Sequence, residues 1–314
     1  MSFANVEANR GTLSVVTGAF GYSGKYTAKL LLDRGERVRT LTNHPDESSP
    51  MRERIEVAPL NFADADALAR SMEGATVLYN TYWVRFAYGD TDHAKAVENT
   101  KALIRAAERA GVKRIVHTSI TNPSLDSKLP YFRGKAELEE AVKASSLSYA
   151  ILRPAVLFGN EDILINNIAW ALRRFPVFAV PGRGEYHIQP IFVEDMAALA
   201  VEQGHRSENM VMDAVGPEAY TYLDLVKLIK QVIGSRALIV HVPRTLLLAT
   251  SKVLGWLVND VMLTKDEIDG LMADLLISHQ PATGTTKLSE WLRAHSETIG
   301  KKYASEVARH YKAK

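Results

Sequence analysis

Six short β-branched runs, spaced so that a helical pattern fits between most of them, occupy the first half of the chain and leave few architectures open. They are Leu13-Ser14-Val15-Val16, Val38-Arg39-Thr40-Leu41, Ile55-Glu56-Val57, Val77-Leu78-Tyr79, Arg114-Ile115-Val116-His117 and Tyr149-Ala150-Ile151-Leu152. Strands that alternate with helices are joined by crossovers, and crossovers build parallel sheets covered on both faces. The first run is followed by a helix expected to end at Gly35. Between the fourth and fifth runs, Asp92 is placed to cap a helix that passes through Leu103-Ile104 to Ala110 and stops at Gly111. The expected fold is α/β, a doubly wound parallel sheet of the Rossmann type with a smaller C-terminal substrate lobe.

After Arg153-Pro154 the pattern loosens into turns and helices, among them Pro181-Gly182-Arg183-Gly184 and a capping-box start at Thr264-Lys265-Asp266-Glu267. Ile191-Phe192-Val193-Glu194-Asp195 followed by Met196-Ala197-Ala198-Leu199-Ala200 reads as a further strand and helix returning to the main sheet. The expected division is a dinucleotide-binding domain over residues 1–155 and a substrate lobe over most of 156–314, with 187–215 returning to the sheet. Trp170, Arg173, Arg174, Phe175, Tyr186 and Gln189 mix aromatic and cationic groups in the second half. Aromatics at helical spacing belong more often to a core than to a ligand site, so no role is assigned to them.

Composition removes several function classes. A formal net charge of +2 with both signs interspersed supplies no dominant field for a polyanion. The absence of cysteine excludes disulfides, thiol nucleophiles and Cys-based zinc sites, and with no signal-peptide pattern it favours a reducing, cytoplasmic setting. The nine histidines fall singly, with no i, i+4 pair of the kind helical metal sites use, so no metal is expected. The apolar stretch from Leu246 to Val258 is broken by Lys252 and ends at Asn259-Asp260, short of the roughly 20 residues that span a bilayer. A small-molecule substrate is the expected partner, with neither nucleic acid nor a membrane span, and a homodimer is compatible with this reading.

Two motifs carry chemistry. Thr17-Gly18-Ala19-Phe20-Gly21-Tyr22-Ser23-Gly24 follows a buried strand and opens a helix, so its glycines can turn tightly and let backbone approach a pyrophosphate at the helix N-terminus. Its G-x-x-G-x-x-G spacing has one more residue in the first gap than the commonest dinucleotide fingerprint. About a hundred residues on, Pro130-Tyr131-Phe132-Arg133-Gly134-Lys135 sets a phenol and an ammonium one helical turn apart. On one helix face the positive charge stabilises the phenolate, so Tyr131 can pass a proton to or from a substrate oxygen while a nicotinamide moves a hydride. At the tip of the second strand, Thr42-Asn43-His44 holds no carboxylate to repel a 2′-phosphate, which leans toward NADP(H). NAD(H) is the alternative, with Asn43 bonding its ribose, while Arg39, Arg52 and Arg54 are the candidate phosphate partners.

With these motifs in order, and with Ile151-Leu152-Arg153-Pro154-Ala155-Val156-Leu157-Phe158-Gly159 after them, the chain resembles an extended or atypical short-chain dehydrogenase/reductase. The likeness runs as far as Val193-Glu194-Asp195 and is similar to the epimerase/dehydratase and NmrA-like branches. It implies that Tyr131 is the acid/base, that Lys135 binds the nicotinamide ribose and lowers the Tyr131 pKa, and that a hydroxyl orients the substrate oxygen. In Val116-His117-Thr118-Ser119-Ile120-Thr121 the family's hydroxyl position falls on Ile120, which leaves Ser119, with Thr121 as alternative, for that role. The expected catalytic set is Tyr131, Lys135 and Ser119. The expected cofactor contacts are Gly18, Phe20, Gly21, Tyr22, Ser23, Gly24, Asn43, Asn61, Phe62, Asn80, Thr81, Tyr82, Asn99, Thr118, Lys135 and Pro154.

The function implied is an NAD(P)-dependent oxidoreductase acting on a carbonyl or alcohol of a small organic molecule. Two rivals remain: a sugar-nucleotide epimerase or dehydratase, which uses the same Tyr131 and Lys135, and a redox-silent NADP sensor of the NmrA type, which binds the nucleotide without turnover. Arg153 has a plainer reading as the partner of a carboxylate.

Overall fold

The structure, a computed structural model, describes residues 11–87, 91–243, 245 and 264–305; the apolar stretch at 246–258 lies outside them. Along the chain come β1 (Leu13–Thr17), α1 (Tyr22–Asp33), β2 (Arg37–Leu41), β3 (Ile55–Ala58), α2 (Ala65–Arg70), β4 (Val77–Asn80), α3 (His93–Arg109), β5 (Arg114–Thr118), α4 (Pro130–Lys143) and β6 (Ser148–Pro154). There follow β7 (Val156–Phe158), α5 (Leu164–Arg174), β8 (Val177–Pro181), β9 (His187–Ile188), β10 (Pro190–Phe192), α6 (Val193–Gly204), β11 (Met210–Ala214), β12 (Tyr220–Thr221), α7 (Tyr222–Val232), β13 (Leu238–Val242), α8 (Lys265–Met272) and α9 (Leu288–Ala294). These residues form two compact units, one running up to Arg153 and taking in Met196–Met212, the other made of Pro154–Asp195 and the residues from Asp213 onward.

The first unit is built on a seven-stranded sheet in the order β11-β6-β5-β4-β1-β2-β3. The pairings that join β1 through β6 are all parallel, in registers such as Val15↔Leu78, Val15↔Arg39 and Leu78↔Ile115. The order reverses beside β1, which has β4 on one side and β2 on the other, and such a reversal opens a crevice at the carboxyl ends of the two central strands. All five residues of β1 and all four of β4 are buried, as a parallel sheet covered on both faces requires. Val15, Leu78, Ile115 and Ile151 pack with Leu68, Met72, Leu103, Ile104 and Ala107 in one cluster.

The local signals act as expected. Asp92 accepts the Lys95 N–H at 2.8 Å at the start of α3, and Gly111 beyond its end has φ +75°. Thr264 and Glu267 form a full capping box on α8. One expectation is corrected. The strand at 190–192 does not rejoin the main sheet; β10 pairs in parallel with β7, and β11 after α6 supplies the seventh strand. Pro154, with no N–H to offer a ladder, closes β6, and the chain continues as β7 in a separate two-stranded sheet.

In the second unit Phe158, Ile165, Ile168, Val180, Ile188, Leu225, Ile229 and Leu292 form the core. Apart from the exposed Arg174, the aromatic and polar groups noted in the sequence serve this unit's own packing. Trp170 packs on Phe175 and Tyr303, Arg173 donates to the Ile299 and Ser296 carbonyls, Tyr186 donates to the Pro181 carbonyl, and Gln189 donates to the Gly216 carbonyl.

A buried polar row crosses the carboxyl ends of four adjacent strands. Thr40 on β2 accepts the Ala19 N–H at 3.0 Å, and Thr17 on β1 donates to Asn80 Oδ1 at 3.2 Å. Asn80 on β4 donates from Nδ2 to His117 Nδ1 on β5 at 3.0 Å. The Thr17 hydroxyl also accepts the N–H groups of Thr81 and Tyr82 at 2.8 and 3.0 Å, which anchors the loop after β4. Thr17→Val keeps the shape but leaves the Thr81 N–H without its acceptor, a loss of roughly 1–3 kcal/mol for a buried donor. Urea unfolding should register that loss; an unchanged unfolding free energy would mean that water replaces the hydroxyl.

Candidate functional site

The glycine loop takes its shape from backbone it cannot share with side chains. Gly18 sits at φ +68°, and its carbonyl accepts the Gly21 N–H at 2.8 Å. A Cβ on Gly24 would lie 2.2 Å from that carbonyl oxygen, and one on Gly21 would lie 3.1 Å from it. Gly21 is also the N-cap of α1, with no side chain capping the helix and no acid in its first turn. The helix N-terminus therefore presents backbone donors at the carboxyl end of β1 with no competing carboxylate, an arrangement suited to a pyrophosphate. Phe20, Tyr22 and Ser23 are half-buried along this turn.

Across the reversal point, the loop after β4 is held from both sides. Thr81 donates to the Thr17 carbonyl at 2.5 Å, Asn99 on α3 donates to the Tyr82 hydroxyl at 2.9 Å, and Phe62 packs on the Tyr82 ring at 5.0 Å. Asn99 thus fixes a loop residue from a helix interior where its propensity is unfavourable. Burial pushes the Tyr82 phenol above its usual range, with Asn99 opposing, so the ring stays neutral. Asn61 closes an exposed turn by accepting the Ala63 N–H at 3.0 Å.

Tyr131 and Lys135 lie on the first two turns of α4, which Pro130 opens. Lys135 is 2% exposed, and its Nζ donates to the Thr118 carbonyl at 2.7 Å, tying the helix to the end of β5. Among the described residues no carboxylate pairs with it. Burial pushes the Lys135 ammonium down to about 7, against the opposing field of Glu139. A lysine so held exchanges its charge near neutral pH. Tyr131 is half-buried, with its ring edge-on to Trp83 at 5.5 Å and to His93 at 5.6 Å.

Several of the expected site residues are engaged within the fold. Ser119 is 2% exposed and donates to Glu139 Oε1 at 2.6 Å, while Arg153 grips both oxygens of the same carboxylate at 2.8 and 2.5 Å. That hydroxyl is committed to a buried ion pair and is not offered to a substrate. Thr121, the alternative, is fully buried, and Ile120 between them is 6% exposed. Asn80 is also fully buried, and its amide serves the polar row rather than a cofactor surface. Pro154 is buried as the last residue of β6.

At the tip of β2, both ends of the Asn43 amide are used by Leu60, whose carbonyl accepts at 2.8 Å and whose N–H donates at 3.1 Å. The three arginines weighed for a 2′-phosphate are engaged elsewhere: Arg39 with Glu56 and the Ser71 and Glu73 carbonyls, Arg52 with Glu47, and Arg54 with Asp33 at 3.8 Å. His44 remains exposed at the tip.

Residues that the motifs did not single out complete the site. The Trp83 indole covers Lys135, whose Nζ lies 4.5 Å from the ring centroid, and stacks on His93 at 5.8 Å with an interplanar angle of 4°. His117 is fully buried with its Nε2 lacking a hydrogen-bond partner, and burial together with the Lys135 charge pushes its pKa well down. Because Nδ1 accepts from Asn80, the neutral ring carries its proton on Nε2. The aromatic run Tyr82-Trp83 after a central strand was the signal available for Trp83; the role of Glu139 had no local signal.

Residues 18–168 match the NAD(P)H-binding family. Over 290 residues the chain is 27% identical to the mitochondrial NADH dehydrogenase [ubiquinone] 1 alpha subcomplex subunit 9 of Arabidopsis thaliana, covering 85% of this chain and 71% of that protein. It is 29% identical over 184 residues to cinnamoyl-CoA reductase 2 of the same plant, covering 48% and 55% of the two chains. A nucleoside-diphosphate-sugar epimerase from Staphylococcus aureus superposes with a TM-score of 0.71 over 90% of this chain and 100% of that one, at 14% identity, a likeness of fold. These matches agree with the resemblance that the motifs carry.

The Lys135 charge has a consequence for stability. Between about 7 and the ordinary lysine value of 10.5 the unfolded chain holds a proton that the folded chain has lost, so stability rises with pH across that window. Lys135→Met keeps the stem's volume without the buried charge. It should be more stable than wild type by about 3 kcal/mol near neutral pH, with the advantage shrinking toward the ordinary lysine range. Denaturant unfolding at several pH values reads this; a variant less stable than wild type throughout would show that the ammonium is a net structural tie.

Proposed function

We propose that this chain, whose residues 18–168 match the NAD(P)H-binding family, is an NAD(P)-dependent oxidoreductase that moves a hydride to or from a carbonyl or alcohol carbon of a small organic molecule. The observation that carries the reading is the buried Lys135 ammonium, drawn to the end of β5 by the Thr118 carbonyl and one helical turn from Tyr131. A fully buried charge with no carboxylate partner does little for a fold, but it supplies the field that makes a neighbouring phenol a better acid/base. A bound nicotinamide supplies or accepts the hydride. Gly18, Gly21 and Gly24 with the N-terminus of α1 hold its pyrophosphate. Thr81, Tyr82, Phe62, Asn61 and Asn99 border the crevice, the enclosed Lys135 ammonium acts on Tyr131 through its charge, and Tyr131 moves the proton at the substrate oxygen. The second unit serves as the substrate lobe.

The absence of a carboxylate at Thr42-Asn43-His44 supports NADP(H), and the Asn43 amide, already engaged by Leu60, is not needed for a ribose. The burial of Ser119, Ile120 and Thr121 supports a second reading, in which the nucleotide is bound without turnover. In that case the chain works as a nucleotide-occupied component of a larger assembly; the Arabidopsis relative is by its name a subunit of an NADH dehydrogenase subcomplex. An epimerase retains the same Tyr131 and Lys135 but returns the hydride to its substrate. A panel of carbonyl compounds separates the readings: net change in nicotinamide absorbance marks a reductase, and turnover without it marks an epimerase. Nucleotide binding with neither supports the second reading.

Two outcomes follow from the geometry. Calorimetry should find NADP(H) bound at least as tightly as NAD(H), and Gly21→Val, whose Cβ would press on the Gly18 carbonyl at 3.1 Å, should weaken both while the fold persists. Unchanged affinity in that variant would remove the loop from the cofactor site. Tyr131→Phe keeps the ring against Trp83 and should lower turnover by roughly 100-fold or more with nucleotide affinity nearly intact. Wild-type turnover in that variant would move the proton to another group.

A further inference from the structure

The environment of Lys135 is asymmetric. On one side its ammonium has the Thr118 carbonyl at 2.7 Å; on the other it has the face of Trp83, with the ring centroid at 4.5 Å. The same indole meets Tyr131 edge-on at 5.5 Å and is backed by the parallel ring of His93 at 5.8 Å. Gly134 makes this possible. A Cβ at that position would lie 3.0 Å from Trp83 Cη2 and 3.0 Å from Val97 Cγ2, so a side chain there would crowd the indole. Glycine inside a helix costs about 1 kcal/mol relative to alanine, and here the space it leaves is taken by the indole. Among the described residues Trp83 Nε1 is buried without a hydrogen-bond partner, so no polar contact of the indole with them fixes this position. Packing against Gly134, the His93 stack and the charge beneath the ring hold it there.

We propose that Trp83 is a positioning residue of the Tyr131–Lys135 pair: its π face, admitted by Gly134 and backed by His93, holds the Lys135 ammonium on the Thr118 carbonyl beside the Tyr131 ring. The role rests on the oxidoreductase reading, because a charge held beside a phenol matters for proton transfer. The physical basis is the attraction between a cation and an aromatic face, which grows when the cation is stripped of water. The titratable and charged groups packed near Lys135 are Tyr131 and Glu139 on α4, His117 on β5 and His93 at the start of α3. Glu139 is already bound by Ser119 and Arg153, and His117 is held neutral by burial. The indole thus joins the field of Glu139 in favouring the charged form of Lys135.

The test follows the Lys135 titration directly, by carbon NMR of protein labelled at the lysine ε-carbon, in nucleotide-free wild type, Trp83→Phe, Trp83→Leu and Gly134→Ala. Lys135→Met assigns the signal. Wild type should titrate near 7. Trp83→Leu should titrate lower by about one pH unit, the scale of a desolvated cation–π contact. Trp83→Phe keeps a weaker aromatic face and should fall between the two, and Gly134→Ala, which presses the indole away with Trp83 intact, should shift in the same direction. A Trp83→Leu midpoint equal to or above that of wild type would overturn the proposal. So would equal shifts in the leucine and phenylalanine variants, which would assign the effect to burial alone. These readouts need neither substrate nor nucleotide, so their failure is distinct from failure of the oxidoreductase reading, which Tyr131→Phe turnover decides.

Discussion

The carboxyl ends of the central strands must bury polar groups, and the row Thr40, Thr17, Asn80 and His117 is how this chain does so. Thr17 donates to Asn80 and Asn80 to His117, while Thr40 and Thr17 reach past the sheet to backbone donors of the flanking loops. An unpaired polar group at this depth is expensive, so the row makes the positions of those loops a consequence of the sheet itself. Ala19 of the glycine turn hangs from Thr40, and Thr81 and Tyr82 hang from Thr17. Both walls of the crevice are thereby fixed by strand residues, and Lys135 is drawn to the carbonyl of the residue after His117. The site is rigid for a reason internal to the fold.

What could be read in the sequence was what short-range chemistry dictates. Buried strands write themselves as apolar runs, and Asp92, Gly111 and the Thr264–Glu267 box mark helix ends because a cap acts within four residues. The glycine turn and the Tyr131–Lys135 spacing are local too. The setting of Ser119 is not local: the direction of its hydroxyl depends on Glu139, twenty residues onward, which is itself held by Arg153 fourteen residues further along the chain. Asn80 was placed at the crevice by its position at a strand end, but the pleat turns its side chain inward, where His117 and Thr17 wait for an amide. The strand at 190–192 has the right composition for the main sheet and joins β7 instead, since β11 takes the edge position beside β6. Composition does not record which edge is open.

The Ser119, Glu139 and Arg153 cluster also shows what Lys135 is not. A buried carboxylate one helical turn from a buried ammonium would ordinarily be its counter-ion. Here the carboxylate is satisfied by a bidentate guanidinium and a hydroxyl, with Lys143 at 3.9 Å as a further cation. The Lys135 ammonium is left with one carbonyl and an aromatic face. Burial pushes its pKa down to about 7 against the field of Glu139, which places the change of charge near neutral pH.

The same cluster bears on the chemistry. In a site where a hydroxyl and a phenol share the substrate oxygen, the hydroxyl fixes the oxygen while the phenol moves the proton. With Ser119 turned to Glu139 and Thr121 buried, neither of the hydroxyls expected for that role faces outward, and under the oxidoreductase reading Tyr131 would do both. One donor fixes an oxygen less well than two, so the orientation of the Tyr131 ring carries more of the catalytic geometry than it would in a complete triad. That ring is set between Trp83, His93 and Phe132, all within 6 Å of it by centroid distance. The aromatic enclosure therefore compensates in rigidity for what the strand end lacks in hydrogen bonds, and it ties the placement of the phenol to the loop that the polar row already holds.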